Sequence, residues 1–136
     1  MQVKHIDHLN LTVNDFSDTC DWYSRVFGFS LVEEGIRNGR KWGILRSGEA
    51  LLCVYENPKR TFLTGDELES KELHGVNHFS LRINDRKTWE ETVAKQNIAV
   101  QFGGAYEYPN SSSWYINDPT GYEIEVVLWK EDKIVF

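Results

Sequence analysis

The sequence predicts an α+β fold made of two consecutive βαβββ modules, at residues 3–56 and 75–129 of one domain that spans residues 1–136. The main observation is an internal repeat, because residues 8–15 (HLNLTVND) return as residues 78–85 (HFSLRIND) with four of eight positions identical. Both copies alternate polar and apolar residues, which is typical of a β-strand, and both end in Asn-Asp, which favours the start of a helix. A repeat on this scale predicts two copies of one structural unit.

The first module begins with a strand at residues 3–13, in which Leu9, Leu11 and Val13 share one face. Apolar side chains then recur at helical spacing, at Phe16, Cys20, Tyr23 and Phe27, so a helix follows the strand. Gly28 suits the left-handed residue that commonly ends a helix. Three further strands are predicted at residues 30–36, 41–46 and 50–55.

The second module repeats this order after a connection at residues 57–74, which is acidic and is predicted to be a solvated linker. A strand at residues 76–83 leads into a helix that starts at Asn84-Asp85, buries Trp89 and Val93, and ends near Asn97. Three strands are then predicted at residues 99–102, 112–117 and 122–128, with a turn at residues 118–121. We expect antiparallel strands with the helices on one side.

The composition excludes several classes of protein. The formal net charge is -6 and the sequence pI is about 5.2, which argues against nucleic acid and anionic membranes as partners. No apolar run is long enough to span a bilayer, and the first residues lack the apolar stretch of a signal peptide. The two cysteines, Cys20 and Cys53, have no metal-finger spacing, so we expect reduced thiols in a cytoplasmic protein. The expected partner is a small molecule.

The strand alternation places several polar residues on the face that points away from the helices. The first strands contribute His8 and His78, and the last strand contributes Glu123 and Glu125. Two imidazoles and one carboxylate, with positions left open for water or substrate, form a recognised site for a divalent metal ion. The sequence does not distinguish between Fe, Mn, Ni, Zn and Co as the cofactor.

Four segments carry a resemblance to a known family. The chain resembles the vicinal oxygen chelate superfamily, which includes glyoxalase I, extradiol dioxygenases, fosfomycin-resistance proteins and bleomycin-resistance proteins. The resemblance implies the paired βαβββ fold of that group, in agreement with the repeat. The matching segments are residues 6–13 (IDHLNLTV), 22–29 (WYSRVFGF), 75–81 (GVNHFSL) and 118–125 (DPTGYEIE).

The resemblance also implies a set of metal ligands, because metal-dependent members take them from the first and last strand of each module. Carried over by position, these ligands are His8, His78 and Glu125. The fourth position falls at or near Cys53, where glyoxalase I-like members usually have glutamate or glutamine. A three-ligand site is closer to extradiol dioxygenases and fosfomycin-resistance proteins. Cys53 is either a soft fourth ligand or a buried strand cysteine.

Other residues receive roles around this site. Tyr115 is a candidate catalytic residue, because extradiol dioxygenases use a tyrosine in a similar place to bind a substrate oxygen. Glu123 is a candidate general base, and His74 is the candidate for a separate acid–base histidine. Arg82 could anchor a substrate carboxylate or phosphate, or form an ion pair at the rim of the sheet.

Substrate-binding roles are also assigned on the polar face of the first module and among the aromatic residues. Asn10 lies on the polar face of the first strand, and Trp42 is the second candidate for contact with the substrate. Trp42, Tyr106, Tyr108 and Trp114 are candidates for an apolar wall, although aromatic residues are more often buried in cores. His5 lies on the opposite face of the predicted strand from His8 and is expected at the surface.

Two functions from different classes follow from these observations. The first is a divalent-metal-dependent enzyme that acts on a small oxygenated metabolite and is dioxygenase-like or lyase/isomerase-like. The second is a metal-free protein that binds an antibiotic or metabolite, of the bleomycin-resistance type. A fosfomycin-type thiol transferase is disfavoured, because the basic residues of that group are not found in the expected places. The resemblance implies a homodimer, for which the apolar residues Leu128, Trp129 and 134–136 are the candidate contact.

Overall fold

The computed structural model describes residues 1–131 and 134. The chain divides into two compact units, residues 1–62 (unit 1) and 63–136 (unit 2). The division falls inside the predicted connection at residues 57–74, while the assignment of all 136 residues to one domain stays a prediction. No helix in the described part of the chain is long and apolar enough to cross a membrane.

Unit 1 has the predicted βαβββ order. Its helix α1 starts at the N-cap Asp15, whose side chain accepts a hydrogen bond from the Asp18 N–H, and ends at Gly28 in the left-handed conformation. The sheet order is β1-β4-β3-β2, with β1 parallel to β4 and the other pairs antiparallel. The elements are β1 (Leu9–Val13), α1 (Phe16–Phe27), β2 (Ser30–Arg37), β3 (Arg40–Ser47) and β4 (Ala50–Glu56).

The core of unit 1 lies between α1 and one face of this sheet. Alternate residues of β1 and β4 are buried, whereas their neighbours in the sequence are partly or fully exposed. Burial of one face and not the other leaves a polar face on the far side of the sheet, as the alternation predicts. The buried residues include Leu11, Val13, Tyr23, Val26, Leu45, Leu52 and Val54.

Unit 2 repeats the pattern, with sheet order β5-β8-β7-β6 and β5 parallel to β8. Its longer helix is capped by Asp85 and ends at Asn97 with φ 52°. The predicted turn before β8 is held by Asp118 Oδ1, which accepts three backbone hydrogen bonds at 2.9 Å. The elements are α2 (Gly65–Ser70), β5 (Phe79–Arg82), α3 (Arg86–Gln96), a 3-10 turn (Gln101–Gly103), β6 (Tyr106–Glu107), β7 (Ser111–Asn117) and β8 (Glu123–Trp129).

Several boundaries differ from the prediction. The first strand of each unit is shorter than expected, since residues 3–8 and 76–78 have no partner in the ladders that pair β1 with β4 and β5 with β8. The apolar residues Val3, Ile6 and Val76 are therefore exposed. The sheets are mixed and not wholly antiparallel, because the first and last strands of each unit run in the same direction.

Two further differences concern the segments between these elements. The predicted strand at residues 99–102 is wrong, because Phe102 has φ 54° and the two glycines after it have positive φ, which turn the chain. The acidic connection at residues 57–74 contains the short helix α2. A capping box between Thr64 and Glu67 stabilises the start of this helix. No described residue of α2 is buried, so the expected solvation of the segment holds.

The predicted homodimer contact involves the end of the chain. Leu128 and Trp129 belong to β8 and are half-buried, whereas Ile134 is exposed. Val135 and Phe136 lie outside the described residues. The homodimer stays a prediction.

Replacing Gly43 with alanine should lower the free energy of unfolding by about 1–3 kcal/mol, the usual cost of overpacking. A Cβ at this position of β3 would lie 2.9 Å from the backbone oxygen of Glu33 and from Phe16 Cζ, and 2.8 Å from Leu31 Cδ1. The backbone oxygen belongs to the paired strand and cannot easily move. Chemical denaturation with urea measures the change.

The control for this prediction is Gly65→Ala at the first residue of α2. A Cβ at Gly65 meets nothing within 4 Å, and the residue does not have a positive φ. We expect a change within about 0.5 kcal/mol for this variant. Equal stabilities for the two variants would contradict the predicted clash at Gly43.

Candidate active site

The carboxylate of Glu125 is held by three hydroxyl groups on the polar face of unit 2. Ser80 lies opposite Glu125 on β5, and Tyr115 lies opposite it on β7. Ser80 Oγ donates to Oε2 at 2.6 Å, and Ser113 Oγ donates to Oε1 at 2.7 Å. The Tyr115 hydroxyl contacts Oε1 at 3.4 Å. The side chain of Glu125 therefore has a fixed orientation.

The imidazole of His78 lies between two carboxylates. Its Nε2 is 3.5 Å from Glu125 Oε2, and its Nδ1 is 3.6 Å from Glu123 Oε1. His78 immediately precedes β5, and about a third of its side chain is exposed (36%). Each nitrogen of the ring thus lies near a different carboxylate.

The surroundings shift the pKa of Glu125 and the pKa of Tyr115 in opposite directions. Burial alone would raise the pKa of Glu125, but the hydrogen bonds from Ser80 and Ser113 and the nearby His78 outweigh it and lower that pKa. Burial raises the pKa of Tyr115, and hydrogen bonding with Tyr108 and the charge of Glu125 add to this effect. At neutral pH the site accordingly presents a carboxylate and a protonated phenol.

The pair of His78 and Glu125 fits a divalent metal ion. Two ligand atoms at about 2.1 Å from one ion lie about 3.4 Å apart at a tetrahedral angle, close to the 3.5 Å between His78 Nε2 and Glu125 Oε2. Imidazole and carboxylate are also a suitable donor set for first-row metals. Within unit 2, however, the described residues contain no group of three His, Cys, Asp or Glu side chains placed to hold an ion.

Unit 1 has a different residue at the equivalent position. Cys53 lies opposite Asn10 on β1, as Glu125 lies opposite Ser80 on β5. Burial raises the pKa of the Cys53 thiol, and the charge of Asp7 adds to this effect. His8 precedes β1 as His78 precedes β5, and its Nδ1 is 2.8 Å from Asp7 Oδ2. A ligand role for His8 or Cys53 stays a prediction.

The other predicted residues lie in different surroundings. Arg82 is exposed on β5, and the described part of the chain offers it no ion-pair partner. Asn10 is exposed on β1, and the Trp42 ring stacks on Tyr55 with centroids 6.2 Å apart. His74 is exposed and belongs to no helix or strand, and His5 is exposed as predicted.

The prediction that Trp114 lines an apolar wall is wrong. Trp114 is buried and packs against Trp89 of α3, with ring centroids 6.3 Å apart. It lies between Ser113 and Tyr115 on β7, so the pleat of the strand directs its side chain to the helix side.

Sequence reasoning missed two groups of residues at this site. The first is the pair Ser80 and Ser113. The alternation of the sequence shows which face of the strand each serine occupies, but their hydrogen bonds to Glu125 can be predicted only when the strand register is known. The second is Phe102, whose ring lies 5.5 Å from the ring of Tyr115. We use the name aromatic cluster for the connected rings of Phe102, Tyr106, Tyr108 and Tyr115.

The aromatic cluster adjoins the pair of His78 and Glu125. The His78 ring lies 5.6 Å from the Tyr115 ring in an edge-on arrangement. Phe102, Tyr106 and Tyr108 are each substantially exposed, at 63%, 44% and 45%. Exposed aromatic rings beside polar groups suit contact with a planar organic molecule.

Relatives of known fold and sequence agree with this architecture. A catechol-2,3-dioxygenase from Bacillus subtilis (strain 168) is 25% identical over 95% of this chain, which spans about half (45%) of that protein. A glyoxylase/bleomycin resistance protein/dioxygenase domain from Frankia sp. EAN1pec has a TM-score of 0.78 and 19% identity, with 97% of this chain and 96% of that chain covered.

A third relative is the fosfomycin resistance protein FosX from Mesorhizobium loti. It has a TM-score of 0.68 and 14% identity, with 92% of this chain and 91% of that chain covered. The family model for the Glyoxalase/Bleomycin resistance protein/Dioxygenase superfamily matches residues 5–126. The chain therefore belongs to the Glyoxalase/Bleomycin resistance protein/Dioxygenase superfamily.

Proposed function

We propose that the protein is a divalent-metal-dependent enzyme that acts on a small oxygenated metabolite, in a dioxygenase-like or lyase/isomerase-like reaction. The observation that carries the proposal is the pair of His78 and Glu125, 3.5 Å apart, with the carboxylate fixed by Ser80 and Ser113. These hydrogen bonds and the nearby His78 keep the carboxylate ionised, so its negative charge is available to a cation. A divalent cation is the charge that the donor set fits.

The residues of the chain have separate roles in this proposal. His78 and Glu125 are the two metal ligands that unit 2 provides, and His8, the counterpart of His78 in the repeat, stays a predicted ligand. The metal, when bound, acts as a Lewis acid on adjacent oxygens of the substrate. Glu123 lies beside Nδ1 of His78, whereas Glu125 lies beside Nε2. Glu123 is therefore suited to orient the ring as well as to serve as a base.

Tyr115 has a role in binding the substrate. Its raised pKa keeps the phenol protonated, so its hydroxyl can donate a hydrogen bond to a substrate oxygen. The exposed rings of the aromatic cluster could contact a planar substrate beside His78. A catechol satisfies both features, with two adjacent oxygens on an aromatic ring, and the name of the Bacillus subtilis relative supports catechols as the first substrates to test.

Metal content is the test of this proposal. The purified protein should hold one equivalent of a divalent metal per chain after incubation with Fe(II), Mn(II), Ni(II), Zn(II) or Co(II), measured by elemental analysis. His78→Ala should lose this metal, because it removes one of the ligands. His5→Ala is the matched control, since His5 is an exposed histidine outside the strands and should retain the metal. Equal metal content in both variants would contradict the proposal.

A metal-free binding protein is the second candidate. It is favoured by Cys53 at the position that corresponds to Glu125, where unit 1 has a thiol instead of a carboxylate. For this function the exposed aromatic cluster would bind an antibiotic or metabolite directly. Absence of metal in the wild-type protein after all five incubations would make this the leading function.

A further inference from the structure

A cavity lies wholly within unit 1. Its volume is about 470 Å³, and it opens on the polar face of the sheet beside Asn10, Thr12 and Tyr55. Four cationic side chains line it: Arg37, Arg40, Lys41 and Arg60. We refer to it as the basic cavity.

The concentration of positive charge in the basic cavity is local. Residues 1–62 contain eight Lys or Arg and eight Asp or Glu, so unit 1 has no overall excess of either sign. Half of its eight cationic residues line one cavity. The surrounding field therefore favours an anion at this place although the whole chain is acidic.

The two arginines of the β2–β3 hairpin are held close together by the fold. Arg37 and Arg40 are directly opposite each other in the strand register, on either side of the turn at Asn38 and Gly39. Both turn residues have positive φ, as a tight hairpin of this kind requires. Like charges directly opposite each other destabilise a strand pair, and a bound anion would remove this repulsion.

The arginines have no anionic partner in the described part of the chain. Among the described residues, the side chains of Arg37, Arg40 and Arg60 form no ion pair. The single carboxylate that lines the cavity is Glu56, and its Oε1 accepts a hydrogen bond from the Phe16 N–H at 3.1 Å. Glu56 is thus engaged at the start of α1, and the guanidinium groups remain available for a ligand.

Other polar groups of the cavity complete a binding site. Asn57 Oδ1 is buried without a hydrogen-bond partner among the described residues, although its backbone N–H is bonded to Val13 O at 2.8 Å. A buried acceptor without a partner is costly. A hydroxyl group of a ligand could satisfy it. Lys41 Nζ is 3.2 Å from Ser17 Oγ, which holds this ammonium group beside the hairpin.

We propose that the basic cavity binds a small metabolite with at least two negative charges on phosphate or carboxylate oxygens, through Arg37, Arg40 and Arg60. Planar guanidinium groups form paired hydrogen bonds with either kind of anion. The cavity is large enough for a ligand that also carries an organic part, which would lie over the Tyr55 ring.

The test uses the full chain after removal of metal with EDTA and dialysis to remove the EDTA, which is itself a polycarboxylate, in a buffer of low ionic strength. Pyrophosphate and citrate are the probes, since they separate phosphate from carboxylate recognition, and calorimetry measures their binding. We expect saturable binding of one probe at one site per chain. The double variant Arg37→Gln/Arg40→Gln should weaken this binding at least about tenfold, because it removes both hairpin guanidinium groups.

The control is a second double variant, Arg25→Gln/Lys95→Gln, which removes the same charge from exposed helix positions outside the cavity. It should bind the probe as the wild-type protein does. Equal loss in both double variants, or no saturable binding of either anion at about 10 mM, would overturn the proposal. Since the measurement is made without metal, its result is independent of the metal content that tests the proposed enzyme function.

Discussion

In the metal-dependent enzyme that we propose, replacing Glu125 with glutamine should weaken metal binding more than about 100-fold and remove the activity that depends on the metal. The side chain keeps its size, but it loses the negative charge that the metal requires. In the wild-type protein the Glu125 carboxylate accepts hydrogen bonds from Ser80 and Ser113. The amide nitrogen of glutamine cannot accept a hydrogen bond from either hydroxyl. Loss of a residue that only supports a ligand costs about 10–100-fold in metal affinity, so loss of the ligand itself should cost more than about 100-fold.

Metal titration followed by thermal unfolding measures this effect. A metal that binds only the folded protein raises the melting temperature, and this increase should disappear in Glu125→Gln. Glu91→Gln is the control, because Glu91 is an exposed residue of α3 whose carboxylate lies 3.8 Å from Lys87 Nζ. A normal metal-induced increase in the Glu125 variant would contradict the proposed ligand role.

The variant Glu123→Gln tests whether Glu123 orients the His78 ring or binds the metal directly. Glu123 contacts the Nδ1 of His78 at 3.6 Å and receives no hydrogen bond from Ser80 or Ser113. The Glu123→Gln variant should therefore bind metal about 10–100-fold more weakly than the wild-type protein, which is the usual effect of losing a carboxylate that supports a ligand. The expected order of affinity is Glu91→Gln, then Glu123→Gln, then Glu125→Gln.

Replacing Trp89 with alanine should lower the free energy of unfolding by about 3–5 kcal/mol. Trp89 is 3% exposed on α3 and packs on Trp114 of β7, which is 4% exposed. Removal of the indole would leave a cavity between the helix and the sheet of unit 2. Since domains are usually stable by only about 5–15 kcal/mol, this is a large fraction of the total.

Urea denaturation followed by far-UV circular dichroism measures this loss. Lys95→Ala is the control on the same helix, because Lys95 is exposed, and its effect should stay within about 0.5 kcal/mol. Trp89→Phe should fall between the two, since a phenyl ring fills part of the space. A loss below about 1 kcal/mol for Trp89→Ala would mean that Trp89 does not support the core of unit 2.

The sequence predicted the elements whose signals are local. The caps at Asp15 and Asp85, the ends of the helices at Gly28 and Asn97, and the turn at Asp118 all lie where the residue types indicate. These signals are local because each depends on hydrogen bonds or backbone angles within a few residues. The failed strand at residues 99–102 follows from the same rule, since the glycines after Phe102 are a local turn signal that the apolar pattern concealed.

The amino-acid pattern alone predicted two copies of one βαβββ unit and the alternate residues that face away from the helices. That information is periodic and is present in residues 8–15 and 78–85. Which side chains meet across strands, such as Ser80, Glu125 and Tyr115, became apparent only in the folded protein. Strand register depends on hydrogen bonds between distant segments, and a pattern within one segment does not specify its partner.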